Sequence, residues 1–222
     1  MKSLTISTQL YLGLVAILIL VRVLFLALPA TVALPPQAGQ VNWLLIIVIG
    51  LLGSIGLNLS QKVGFPDMRE SSISNKQRLV LPALIGSAFG LITIVEYLFH
   101  PSERTLFPLF VVAPLFIYGA IVVEVFLRLF LFSFLVWVLS FVFKGHKARV
   151  RVLWIIAALV ASFEPVLFLA DEGSVGVSGF AVMLRLFVAN LVAAVLFRRY
   201  GFTAPLTMRF CDYLLWHIVW QG

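Results

Sequence analysis

Eight ionisable side chains fall inside long apolar runs of this chain: Arg22, Glu96, Glu124, Arg128, Glu164, Arg185, Arg209 and Asp212, with the neutral Asn190 among them. These are the residues that could do chemistry. A charge at the centre of a bilayer costs about 2.5–3.5 kcal/mol on insertion scales, so such residues face the protein interior and pair. Glu124 and Arg128 stand four apart with the glutamate first, the favourable order on a helix. Two readings of that pair stay open. It is a neutralised couple that orients its helix, or Glu124 is a general base for a water in a dry cavity, with Arg128 fixing its charge and rotamer. Glu164 precedes Pro165, which frees a backbone carbonyl and bends the helix. It is expected to pair with Arg185 or Arg209 from another span. Arg209 and Asp212 lie three apart and share a helix face. Glu96 and His217 are close to the ends of their spans and are expected at the interface.

Other chemistries lack their residues. There is no HExxH, P-loop, GxGxxG or Ser-His-Asp arrangement. His100, His146 and His217 fall in loops or at span ends, so neither an intramembrane zinc site nor a cofactor is expected. The single cysteine, Cys211, excludes an internal disulfide and reads as a packing residue.

The elements that hold these residues follow from composition. The 222 residues are 62% hydrophobic and 11% charged, with a mean hydropathy of +1.12. Soluble domains are about 45–50% apolar and about 25% charged. Only a bilayer accommodates this much apolar surface, and the runs are unbroken rather than alternating, which favours helices over a barrel. The fold expected is an all-α, polytopic transmembrane helix bundle. Spans are predicted at about 9–34, 41–59, 79–99, 118–143, 152–170, 177–197 and 204–220. The stretch 105–143 is too long for one crossing of about 30 Å and short for two. Pro108, Pro114 and Gly119 therefore predict an interfacial or re-entrant piece before about Tyr118. The reading is seven crossings plus that piece. It divides into an N-terminal three-helix region, 1–104, and a membrane core, 105–222.

The net charge of +7 does not indicate nucleic acid, because the basic residues sit in short loops beside apolar runs. Loops 60–78, 144–151 and 198–200 are basic, whereas the loop at Asp171 and Glu172 is acidic. By the positive-inside rule the N-terminus is cytoplasmic, in a plasma or inner membrane. The first span follows Met1-Lys2-Ser3-Leu4 without a small-residue cleavage site and is expected to be a retained helix.

Residues 118–216 resemble the CAAX-protease and bacteriocin-processing family of intramembrane proteases. That family carries Glu-Glu-xxx-Arg, Phe-xxx-His and His-xxx-Asn/Asp motifs on successive helices. The first reads Val123-Glu124-Val125-Phe126-Leu127-Arg128 here. The second reads Phe163 to Leu167, with leucine in the histidine place. The third follows Gly201-Phe202-Thr203-Ala204-Pro205 and is either Met208-xxx-Asp212 or, one residue along, Arg209-xxx-Tyr213. The resemblance implies that Glu124 activates water, with Arg128 and Asp212 beside it. It departs at Val123 and at both histidines, so Glu164 and Arg209 stand as possible substitutes. An acid without its partner base or oxyanion donor hydrolyses poorly, each such group being worth about 10²–10³-fold.

The resemblance implies a glutamic intramembrane protease with weak or lost peptidase activity, acting as a membrane-embedded binding or immunity-type protein. Its partners would be the bilayer and a membrane protein or lipidated peptide. The alternatives are an accessory or structural subunit of a membrane complex, or a small transporter. Paired broken helices in matching halves, frequent in transporters, are not evident.

Overall fold

In a bilayer every backbone polar group must be satisfied within its own segment, and the chain meets that demand with helices throughout. The computed structural model describes residues 5–99, 107–143, 146–172 and 176–220. It is 84% helical, with no strand among the described residues. Helix α1 spans Ile6–Ala27, capped by the Thr5 hydroxyl. A 3-10 turn, Pro36–Gln40, leads to α2, Trp43–Lys62, capped by Asn42. A π turn at Lys76–Val80 opens α3, Leu81–Phe99. Helix α4 runs Leu109–Val142, with a π-helical stretch at Val125–Phe132. Then come α5, His146–Ala161, and α6, Phe163–Glu172. Helix α7 is Val177–Tyr200 and α8 is Thr203–Tyr213, extended by a π-helical Leu214–Val219.

Among the described residues six helices are long and apolar enough to cross a membrane. The chain is an integral membrane protein with an all-α, multi-pass fold. Its exterior agrees: Leu44 is 72% exposed, Leu20 66% and Leu84 65%, a surface that hydrocarbon covers and water does not. The remaining expected span, 204–220, forms as α8 with its extension, of 11 and 6 residues. It is the most polar helix and packs inward against α3, α4 and α7.

One boundary differs from expectation. No separate interfacial piece precedes Tyr118, because α4 is continuous from Leu109 through Pro114. A proline removes one donor near the start of the helix, which is cheaper than leaving several backbone groups unpaired in hydrocarbon. At 34 residues, α4 reaches about 50 Å, longer than the bilayer core. The span expected at 152–170 is present as Val150–Ala170, with a turn at Ser162 next to Glu164-Pro165, where the bend was expected. The Ser162 hydroxyl donates to the Ala158 carbonyl at 2.9 Å. Residues 100–106, between the third and fourth expected spans, and 144–145 of the basic loop 144–151 lie outside the described residues. In the acidic loop, residues 171–172 continue α6, and 173–175 lie outside them too.

Small residues set the helix approaches. Packing between apolar helices in a bilayer depends on close backbone contact. A Cβ on Gly86 of α3 would run into the Met208 carbonyl of α8, and one on Gly90 would lie 3.0 Å from the Asp212 carbonyl. On α2, a Cβ on Gly56 would meet the Leu129 carbonyl in the π stretch of α4. Gly201, at φ 77°, ends α7, and a Cβ there would lie 2.7 Å from the Asp67 carbonyl and 3.0 Å from that of Pro66. It turns the chain so that α8 folds back between α3 and α4.

The polar loop between α2 and α3 is held from within. Arg78, expected as an orienting loop charge, is buried and donates to the carbonyls of Met68 at 3.4 Å, Glu70, and Ile73 at 2.6 Å. Phe65 from this loop stacks on Phe132, ring centres 5.5 Å apart, and meets Phe197 edge-on at 5.1 Å.

Candidate functional site

The convergence of α4, α6, α7 and α8 brings together side chains far apart in sequence. Glu124 is the last α-helical residue before the π stretch of α4, and Arg128 lies within that stretch. Arg128 is wholly buried, and Glu124 and Asn190 are nearly so. Arg128 Nε faces Glu124 Oε2 at 3.6 Å, the expected i,i+4 pair.

Arg209 of α8 is the centre of the cluster. Its Nε donates to Glu124 Oε1 at 2.5 Å. Its Nη1 and Nη2 donate to Glu164 Oε1 at 3.0 Å and Oε2 at 2.9 Å, a forked pair. Nη2 also donates to Asn190 Oδ1 at 3.0 Å, and Nη1 to the Tyr213 hydroxyl at 3.3 Å. Asn190 Oδ1 accepts from Arg128 Nη2 as well, and that same nitrogen reaches the Asn190 carbonyl at 3.1 Å. The Asn190 amide in turn donates to the Leu186 carbonyl at 2.8 Å, which fixes its orientation.

Two glutamates and two arginines thus form a closed, formally neutral quartet with Asn190 as its hub. Glu164 pairs with Arg209. Arg185 instead meets Glu96 at 2.8 Å. Glu96, close to the end of its span, is reached by Arg185 from α7, and the two neutralise each other. Asp212 shares the Arg209 face as expected, yet its side chain has no hydrogen-bond or ion-pair partner among the described residues. Arg22, expected to find a partner, also has none among them.

Glu124, Glu164 and Asp212 all line one cavity of about 210 Å³, together with Asn190, Arg185 and Arg209. A second, more apolar cavity of about 470 Å³ lies between the Pro36–Gln40 turn, α4 and the end of α8. Leu115, Phe116, Val122 and Val123 line it, with Gln37 and Gln40 as polar groups. Tyr213 and His217 line both cavities. His217, expected at the interface, stacks on Phe116 with ring centres 3.4 Å apart. The sequence signals for these partners were slight. Asn190 is the amide inside an otherwise apolar span, Tyr213 is the fourth residue after Arg209 in the alternative third-motif register, and His217 follows four further on.

The arrangement limits what Glu124 can do. A general base needs an oxygen open to water at about 2.6–3.2 Å. Oε1 is taken by Arg209, and Oε2 faces Arg128 without a hydrogen-bond donor. Among the described residues no group of three or more His, Cys, Asp or Glu side chains is placed to hold a metal ion.

Fold and site together define a multi-pass helical membrane protein with a charge-compensated polar centre. Comparison with known protein families, with curated proteins and with solved structures finds no match.

Proposed function

We propose that this chain is a non-hydrolytic relative of the CAAX-protease and bacteriocin-processing intramembrane proteases, acting as a membrane-embedded binding or immunity-type protein. One observation carries the reading: Arg209 sits on Glu124 at 2.5 Å and forks onto Glu164. In such a peptidase, that place beside the glutamate belongs to histidines and a water. The contact supports the register in which Arg209 and Tyr213 stand for the third motif's histidine and its asparagine or aspartate. Glu164, beside the second motif's phenylalanine, supplies the opposite charge. Glu124 and Arg128 keep the first motif and now serve as structure. The quartet sets both carboxylate oxygens of Glu124 beside guanidinium groups at the wall of a polar cavity.

Purified protein in lipid, incubated with prenylated and leader-type peptides, should leave them intact. Cleavage that disappears in Glu124→Gln would overturn the non-hydrolytic reading. The basic loops at 60–78, 144–151 and 198–200 support a cytoplasmic N-terminus in a plasma or inner membrane. A reporter fused at either end of α1 tests that orientation.

A further inference from the structure

The charges around the smaller cavity do not cancel. Four carboxylates, Glu96, Glu124, Glu164 and Asp212, stand against three guanidinium groups, Arg128, Arg185 and Arg209. Each arginine is already committed: Arg128 to Glu124, Arg185 to Glu96, and Arg209 to Glu124 and Glu164. Asp212 is left as a half-buried carboxylate on the cavity wall without a direct partner among the described residues. Glu124 Oε2, buried on the same wall, has no hydrogen-bond donor. A part-buried carboxylate with no donor in contact is costly, and a cation with N–H groups relieves that cost.

The larger cavity next door has the opposite character. At about 470 Å³ it is in the range of small-molecule sites, about 300–1,000 Å³. Its walls are mainly aliphatic and aromatic, which favours hydrocarbon over water. Among the described residues Tyr213 and His217, four apart in the chain, line both spaces. The two cavities therefore adjoin at these residues.

We infer that the two cavities hold one amphiphile, its ammonium head on Asp212 in the polar cavity and its single hydrocarbon chain in the apolar one. This names a ligand class for the binding role proposed above and rests on that reading. The division of polarity selects the class. A fatty acid would add a fifth negative charge beside Asp212, and a short amine would leave the apolar cavity unfilled.

The full chain in lipid nanodiscs can be titrated with hexadecylamine, and in parallel with hexadecanoic acid, hexadecanol and ethylamine, with retained ligand read by native mass spectrometry. Hexadecylamine should saturate at one per chain, and each comparator should bind about tenfold more weakly or less, the weight of one charge-assisted contact or of the buried chain. Asp212→Asn should weaken the amine by about tenfold, and Asp212→Glu should retain it. Gly119 lines the apolar cavity and has open space where its Cβ would be. Gly119→Phe therefore fills that cavity without a backbone clash and should abolish chain-dependent binding at an unchanged Tm. Equal binding of acid and amine, or amine binding indifferent to both Asp212→Asn and Gly119→Phe, overturns the inference. Neither result touches the non-hydrolytic reading, which peptide cleavage decides separately.

Discussion

Arg209 and Glu124, 85 residues apart in the chain, meet at 2.5 Å inside the helix bundle. The contact links α8 to α4 at the level where α4 changes from α- to π-helical spacing. Arg209 also forks onto Glu164, so one guanidinium joins three helices. Removing it should leave two buried carboxylates facing each other. Arg209→Met is expected to destabilise the protein by about 3–5 kcal/mol, the usual cost of breaking a buried ion pair from one side. Thermal unfolding in mild detergent measures this. The triple variant Arg209→Met, Glu124→Gln, Glu164→Gln should recover much of the loss, because no isolated charge then remains. If the triple variant is no more stable than the single one, the quartet is not an electrostatic unit.

Asn190 is the neutral hub, accepting from both arginines through Oδ1. Asn190→Leu removes that acceptor and leaves guanidinium donors unmatched in a dry interior. The expected loss is about 1–3 kcal/mol. Asn190→Asp keeps the acceptor geometry beside two positive charges and should cost less. Ranking the two variants by Tm tests whether hydrogen-bond acceptance, rather than side-chain volume, is what the position requires.

Gly86 and Gly119 should behave oppositely. A Cβ on Gly86 meets the backbone carbonyl of Met208, which cannot swing aside, so Gly86→Val should separate α3 from α8 and cost about 1–3 kcal/mol or more. Gly119→Ala meets nothing within 4 Å and gains up to about 1 kcal/mol of helix propensity. Comparing their Tm values in one detergent checks the α3–α8 approach without touching a charge.

Arg78 closes the loop between α2 and α3 through three carbonyls. Arg78→Met should raise amide hydrogen exchange across residues 66–75 while leaving exchange around Asn190 unchanged. Faster exchange at both places would mean that the loop and the charge quartet unfold as one unit.

Much of this protein was legible in the order of its residues. The unbroken apolar runs dictate helices that cross a bilayer, because only a helix satisfies its own backbone there. The cost of charge in hydrocarbon marks Glu124, Arg128, Glu164, Arg209 and Asp212 as residues that must face inward. The i,i+4 spacing of Glu124 and Arg128 and the bend at Pro165 follow from local geometry alone. Partner choice was not legible. The spans are apolar almost all round, so no stripe of hydrophobicity says which face meets which neighbour. Facing is decided instead by where backbones can approach, at Gly56, Gly86 and Gly90, and by the turn at Gly201 that threads α8 between α3 and α4. Those long-range approaches give Glu164 to Arg209 and Arg185 to Glu96, and they leave Asp212 unpaired beside a cavity. The sequence by itself determined that the charges must be buried and compensated. Only the tertiary structure decided which of them cancel, because cancellation depends on the depth and rotation of helices that no local pattern specifies.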